Sequence, residues 1–168
     1  MVSQPEVEVR VVPVDGPGDF AAALAIREVV FIEEQRVPEE IERDDEDPTA
    51  HHVLAMVGGH AIGTGRLVEL RSPPEGETGK WGRIGRMAVL VAHRHGRIGS
   101  KLLEELEAEA RRRGLEGIVL HAQVYAHGFY QHGGYVDHGA IFDEAGIPHV
   151  EMRKRLSPTL AQQESPTD

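Results

Sequence analysis

The feature that most constrains the fold is a helical pattern enclosed by two short apolar runs. The runs, 87–92 and 117–124, each have the length of a buried strand. Because a helix separates them, the second strand is predicted to lie parallel to the first in one sheet. Between the runs, apolar residues recur at the spacing of one helix face, at Ile98, Leu102, Leu103, Leu106 and Ala110. The sequence therefore predicts a βαβ unit.

The corner between the first strand and the helix carries positive charge where it is least expected. Arg94, Arg97 and Lys101 surround the helix start, although the helix dipole is already positive there. Free backbone N–H groups at a glycine-containing helix start, joined by basic side chains, are typical of a phosphate site. The P-loop pattern fails, because Gly99 is followed by Ser100-Lys101 and no glycine lies five residues earlier. The dinucleotide pattern fails, because only Gly96 and Gly99 are present. We therefore predict that this corner binds phosphate through another motif.

The composition limits the class of protein. A chain of 168 residues is long enough for one domain with a substantial core, which we assign to 1–156. A polar tail at 157–168 is expected to be disordered. The absence of cysteine excludes disulfides and thiolate nucleophiles. The formal net charge of −10 disfavours nucleic-acid binding. No apolar stretch reaches the length of a membrane span, so a cytoplasmic protein that does not bind membranes is expected.

The rest of the chain is predicted to complete a single sheet. Helical spacing indicates a first helix over 19–34 and a short one over 126–132. The glycines of Gly58-Gly59-His60 are typical of a hairpin turn. Further strands are predicted at 7–14, 52–56, 61–70, 81–92, 135–137 and 148–153. This order of elements indicates an α/β fold with one mixed central sheet.

The segment 33–49 contains a dense run of carboxylates and is called the acidic segment below. It shows no strong periodicity beyond one short helical turn after Pro38. Two interpretations are open. The carboxylates form a solvated loop, or some of them face a cationic substrate.

Two segments, RMAVLVAHRHGRIGSKLL at 86–103 and LHAQVYAHGFYQHGGY at 120–135, resemble the signature of the GNAT superfamily of acetyl-CoA-dependent N-acetyltransferases. The superfamily's pyrophosphate loop is written Arg/Gln-x-x-Gly-x-Gly/Ala. Arg94 and Gly99 match this loop, whereas Arg97 occupies the usual middle glycine. Other strings resemble the ElaA-like branch: VVFIEEQRVPEEIERDDED at 29–47, GTGRL at 63–67, LHAQV at 120–124 and EAGIPHVEMRKRL at 144–156.

The resemblance implies where acetyl-CoA binds. In the GNAT fold the sheet is mostly antiparallel, and its one parallel pair splays apart to hold the pantetheine arm. The resemblance assigns to acetyl-CoA the strand residues Met87, Ala88 and Val89, the loop residues Arg94, His95, Gly96, Arg97, Ile98, Gly99 and Ser100, and Phe129. A strand edge can pair with the amides of such an arm, and a backbone N–H near Val89 would stabilise the oxyanion.

The resemblance also implies the catalytic groups. Tyr130 stands where the superfamily places its general acid, although an aromatic core residue or an adenine contact is the alternative. His121 is the most plausible base, since an imidazole can accept a proton at neutral pH. A satisfied structural histidine is the alternative. Gln123 is a candidate to orient the acceptor or a water. Glu33 and Glu34 are candidates for an alternative base or for the anchor of the acceptor's ammonium group.

The function that the resemblance implies is acetyl transfer from acetyl-CoA to an amine. Direct transfer is expected, because no cysteine can carry the acetyl group. The acceptor is expected to be a small-molecule amine or a peptide amino group, and a homodimer is left open. The ten histidines show no zinc-site spacing, so no metal is predicted. A non-catalytic acyl-CoA sensor on the same fold is the alternative.

Overall fold

One eight-stranded sheet organises residues 8–157, the part of the chain that the computed structural model describes. Nearly all of the predicted polar tail therefore lies outside the described residues. In chain order the elements are β1 (Val9–Pro13), α1 (Gly16–Arg27), a π-helical continuation (Glu28–Glu34), α2 (Glu39–Glu42), β2 (His51–Val57), β3 (His60–Glu69), β4 (Trp81–Val89), α3 (Ile98–Arg112), β5 (Gly117–Gln123), α4 (His127–His132), β6 (Val136–Asp137), β7 (Phe142–Glu144) and β8 (Ile147–Arg155). Over this range no helix is long and apolar enough to cross a membrane.

The strands follow the order β1-β2-β3-β4-β5-β8-β6, with β7 paired to the end of β8. Every pairing in this sheet is antiparallel except that of β4 with β5, which α3 connects. The predicted βαβ unit and the mixed, mostly antiparallel sheet are confirmed.

Helices cover both faces of the sheet and enclose two apolar cores. The predicted apolar face of α3 is buried on one side, while Ala23 and Ile26 of α1 are buried on the other. Successive residues of β2 divide between the two cores, because side chains alternate along a strand. Val53 and Ala55 pack with α3, and Leu54 packs with α1.

A bulge in β4 opens the sheet beside β5. The backbone of Arg86 is left-handed, with φ 53°, and Arg86 and Met87 together stand opposite Gly65. A side chain at Gly65 would lie within 3 Å of Met87 and Leu106, so a larger residue would displace both of these side chains. The pairing of β4 with β5 stops at Arg83, and within residues 8–157 no strand pairs with the rest of β4 on that side.

The structure differs from the predicted elements in two places and adds one strand. Strand β4 ends at Val89, because the chain turns at 91–93 before α3. The first helix changes to π-helical hydrogen bonding at Glu28. Strand β7, with three residues, is absent from the sequence prediction, since so short a run has no periodicity.

The acidic segment folds back over two buried arginines. Arg27 donates hydrogen bonds to Glu42 and Asp47, and only 1% of its side chain is exposed. Arg66 lies 2.7 Å from Asp44 and 2.8 Å from Asp47. Burial alone would raise the pKa of Asp47, but the hydrogen bonds and charges of the two guanidinium groups lower it to about 2. Asp47 therefore remains ionised as the shared partner of both arginines.

Both interpretations of the acidic segment are wrong for the carboxylates of Glu42, Asp44 and Asp47. They are not fully solvated, and each already has an arginine partner, so they offer no free negative charge to a substrate. The interpretation as a solvated loop holds for Glu39, Glu40 and Asp45, which are exposed.

Candidate active site

A cavity of about 820 Å³ lies where β4 and β5 diverge. One wall is the end of β4, including Met87, Ala88 and Val89, and the other is β5 with His121 and Gln123. The remaining lining residues come from the loop before α3, the starts of α3 and α4, the π-helical segment, α2 and the β7–β8 turn. The cavity therefore brings together most of the predicted site residues.

The loop before α3 contributes part of the predicted phosphate site to this cavity. His95, Arg97, Gly99 and Ser100 line it, whereas Gly96 does not. Ile98 does not line it either, because its side chain is buried in the core beneath α3. Only the backbone of Ile98 is available to a ligand.

Arg97, at the position of the usual middle glycine, takes a backbone conformation that favours glycine. It immediately precedes α3 with φ 60° and ψ 22°, in the left-handed region, while Gly96 is outside that region. The shifted glycine has therefore not taken over the turn, and a residue with a Cβ bears the strain. Such a conformation costs an L-residue about 1–2 kcal/mol.

We predict that Arg97→Gly is more stable than Arg97→Ala by about 1 kcal/mol, because only glycine relaxes the left-handed backbone. Both variants are expected to bind acetyl-CoA more weakly, by on the order of 3- to 10-fold, since both remove the charge beside the helix start. Urea unfolding and calorimetric titration measure the two effects. Gly96→Ala is the matched control, because its Cβ would meet neighbours only at 3.7 Å or more. Full affinity in both Arg97 variants would contradict a phosphate contact.

Arg94 spans the cavity at the end of β4. Its Nε donates to the carbonyl oxygen of Val89 at 2.8 Å, and its Nη2 contacts both carboxylate oxygens of Glu34 at 2.8 and 3.0 Å. The predicted ammonium anchor Glu34 is therefore paired with a cation of this chain. Glu33 is exposed and does not line the cavity, so its predicted contact with the acceptor has no structural support.

Tyr130 lies on α4 with its ring edge-on to Phe129 and Tyr135, at centroid distances of 4.9 and 6.0 Å. Both Phe129 and Tyr130 line the cavity. Within residues 8–157 no side chain or backbone group is hydrogen-bonded to the Tyr130 hydroxyl. Burial raises the pKa of Tyr130 above its ordinary value, so its phenol stays protonated at neutral pH.

Two polar side chains of β5 that line the cavity, those of Gln123 and His121, contact side chains from other segments. Gln123 and Gln35 exchange side-chain hydrogen bonds at 2.8 and 3.4 Å, so Gln35 fixes the amide that was predicted to orient the acceptor. His121 Nδ1 lies 3.3 Å from Glu144 Oε1. The positions of Gln35 and Glu144 were missed, because they lie 88 and 23 residues away in sequence.

Comparison with known proteins identifies the family. Residues 20–156 match the family described as "Acetyltransferase (GNAT) domain". The chain belongs to this GNAT acetyltransferase family. It is an acetyltransferase that depends on acyl-CoA, as the resemblance of its two signature segments predicted.

Individual GNAT relatives support the ElaA-like branch. The chain is 35% identical over 133 residues to "Uncharacterized N-acetyltransferase YjcF" of Bacillus subtilis, covering 79% of this chain and 89% of the relative. It is 28% identical over 137 residues to "Protein ElaA" of Escherichia coli, covering 80% and 86%. The crystal structure of E. coli ElaA matches with a TM-score of 0.73 at 23% identity and covers 88% of this chain and 99% of that one.

A more distant GNAT structure shares the fold alone. An aminoglycoside 6'-N-acetyltransferase complexed with coenzyme A matches with a TM-score of 0.65 at 18% identity, covering 89% of this chain and 98% of that one.

Arg86 is not among the predicted site residues, but its side chain connects β4 to α2 beside the cavity. Its Nε donates to the carbonyl oxygen of Glu42 at 2.9 Å, and its Nη2 donates to that of Ile41 at 3.2 Å. It also pairs with Asp44 at 3.1 Å. The residue that forms the bulge in β4 therefore also caps the carboxyl end of α2. An arginine with positive φ has no recognisable sequence signal.

Proposed function

We propose that this protein transfers the acetyl group of acetyl-CoA to a primary amine by direct attack within the cavity between β4 and β5. The proposal rests on two features of one cavity. The edge of β4 at 87–89 has no neighbouring strand within the described residues, and Tyr130 is protonated at neutral pH. An extended, amide-bearing arm can pair with that edge as a peptide strand does. The arm would then run between the phosphate corner and Tyr130.

The start of α3 is the proposed pyrophosphate site. The backbone N–H groups of 95–100 are available at a helix start, whereas that of Arg94 donates to the carbonyl oxygen of Val91. Arg97 and Ser100 line the cavity beside them. A side chain at Gly99 would approach Phe129 to 3.3 Å, so a small residue keeps this end of the cavity open. The distant aminoglycoside acetyltransferase, which holds coenzyme A on the same fold, supports this use of the cleft.

The proposed chemistry requires three proton movements. His121 takes a proton from the acceptor's ammonium group, so that the neutral nitrogen attacks the thioester carbon and forms the nitrogen–carbon bond directly, without an acetyl-enzyme. A backbone N–H near Val89 donates to the developing oxyanion. As the carbon–sulfur bond breaks, Tyr130 gives its proton to the departing thiolate. The second proton of the attacking nitrogen then passes through solvent to the Tyr130 phenolate, and His121 releases its proton to solvent.

The acidic segment gives no information about any charge that the acceptor carries besides that of its amine. Glu42 and Asp44 line the cavity, but both are paired with arginines of this chain. These pairings therefore give no support to a cationic substrate that binds the acidic segment. We propose only a small-molecule amine or a peptide amino group.

The proposal is tested by CoA release from acetyl-CoA with a panel of primary amines, amino acids and peptides. We expect turnover with some members of the panel, detected with a thiol reagent, and a product acetylated on nitrogen. Tight binding of acetyl-CoA without turnover on any acceptor would instead favour an acyl-CoA sensor.

A further inference from the structure

A cluster of aromatic and charged side chains forms one corner of the cavity, where β5 meets β7 and β8. Glu144 is at its centre, with Oε1 at 3.3 Å from His121 Nδ1 and Oε2 at 3.6 Å from His149 Nε2. The ring of Phe142 is edge-on to His121 at 5.1 Å and stacked on His149 at 6.0 Å. Three of these residues, His121, Glu144 and His149, line the cavity.

The contact with Glu144 determines which ring nitrogen of His121 carries a proton. An ionised carboxylate can only accept hydrogen bonds, so Nδ1 of His121 must be the donor. In the neutral ring, Nε2 then holds the free lone pair and is the basic atom. Glu151 Oε1 lies 3.9 Å from Nε2, beyond hydrogen-bond distance, so it leaves that lone pair unoccupied.

We propose that Glu144 is a positioning residue that holds the His121 ring in the Nδ1–H tautomer and stabilises its protonated form during proton transfer. This inference rests on the proposed function, in which His121 is the base. A base that is itself oriented by a third group is a recurring arrangement in enzymes. Here the third group comes from a separate hairpin.

The β7–β8 hairpin holds Glu144 in place. Its two turn residues, Ala145 and Gly146, are both left-handed, with φ 56° and 77°. The backbone N–H of Gly146 donates to Asp143 Oδ1 at 3.0 Å, and Glu144 pairs across the turn with Ile147. A tight turn of this kind fixes the register of the hairpin. The carboxylate of Glu144 is therefore presented to β5 from a defined position.

The surrounding charges keep Glu144 ionised. Its pKa lies below the usual range, chiefly because His121 donates a hydrogen bond to it, with further contributions from the charges of His149 and Arg86. On the neighbouring strand β8, Glu151 is paired with Arg153 at 2.7 Å. The hydrogen bond to His121 is therefore available throughout the neutral pH range.

The test compares Glu144→Gln with wild type over a range of pH, using an acceptor identified by CoA release. We expect kcat to fall by on the order of 10-fold, and the acid limb of the kcat/KM profile to move to lower pH, because the imidazolium loses an adjacent anion. The KM for acetyl-CoA should not change. Glu144→Asp should recover part of the loss, which a purely structural role would not predict.

Asp137→Asn is the matched control. Asp137 accepts a hydrogen bond from His127 at 2.6 Å, which is also a histidine–carboxylate pair, but neither residue lines the cavity. This variant should keep the wild-type profile. An acid limb that does not move in Glu144→Gln, together with an unchanged kcat, would overturn the inference.

His121→Ala separates this inference from the proposed function. If His121→Ala lowers kcat and adding Glu144→Gln causes no further loss, Glu144 acts through His121, as proposed. If His121→Ala lowers kcat but Glu144→Gln does not, only the role of Glu144 is wrong. If His121→Ala leaves kcat unchanged, the base assignment in the proposed function is wrong, and the inference falls with it.

Discussion

Replacing Tyr130 with phenylalanine is expected to lower kcat by on the order of 10²-fold, because the departing thiolate loses its proton donor. The binding of acetyl-CoA should be nearly unchanged, since the phenylalanine ring keeps the packing against Phe129. Steady-state kinetics together with calorimetric titration separate the two quantities. A kcat equal to that of wild type would exclude Tyr130 as the general acid.

Tyr135→Phe is the matched control for this experiment. Its hydroxyl donates to Glu107 at 2.9 Å in the buried core, next to Lys154, and Tyr135 does not line the cavity. The variant should lose about 1 kcal/mol of stability and keep its kcat. The pair of variants therefore distinguishes a catalytic hydroxyl from a structural one.

The pH dependence of kcat provides a second test of Tyr130. Because burial raises the pKa of Tyr130, its phenol should remain protonated well into the alkaline range. The kcat of wild type should therefore show no decline from loss of this proton between pH 8 and about 10. An alkaline limb in this range that disappears in Tyr130→Phe would contradict the raised pKa.

Asp47→Asn is expected to destabilise the protein by about 3–5 kcal/mol, the usual effect of removing one partner from a buried ion pair. Arg27 and Arg66 share this carboxylate, and both side chains are at most 3% exposed. Urea unfolding measures the loss. Glu46→Gln is the control, because Glu46 is 44% exposed and lies 3.8 Å from Arg83, and its effect should be below about 0.5 kcal/mol. Equal losses of unfolding free energy in Asp47→Asn and Glu46→Gln would contradict a stabilising role for the buried ion pairs of Asp47.

The lowered pKa of Asp47 predicts how the free energy of unfolding changes at low pH. The folded-state pKa of Asp47, about 2, lies below its value in an unfolded chain. Its contribution, on the order of 2 kcal/mol, is therefore complete above about pH 4 and is lost as the pH falls toward 2. The stability difference between wild type and Asp47→Asn should narrow over that window. A difference that stays constant from pH 6 to pH 2 would contradict the lowered pKa.

The parts of the fold that the sequence predicts are those set by local periodicity. The apolar face of α3 repeats at helical spacing, and the runs on either side of it have the length of buried strands. These features fix the parallel pair, and with it the position of the phosphate corner. The catalytic candidates Tyr130 and His121 come from the family resemblance, and the fold brings both to the same cavity.

The parts that could not be predicted depend on contacts between distant segments. Arg27 and Asp47 are 20 residues apart, and Arg94 and Glu34 are 60 apart, so neither pair has a local signal. The run of carboxylates is evident in the sequence, but nothing in the sequence indicates which arginines bind them. The bulge in β4 depends on Gly65, on the neighbouring strand, as much as on Arg86.

Hydrogen exchange in the presence of acetyl-CoA tests the central claim most directly. If the cofactor lies in the cavity between β4 and β5, the backbone amides of 87–89 and 94–100 should exchange more slowly when it is bound. The amides of β1, at the far edge of the sheet, should be unaffected. Saturating binding with no added protection at 87–89 and 94–100 would contradict the proposed site.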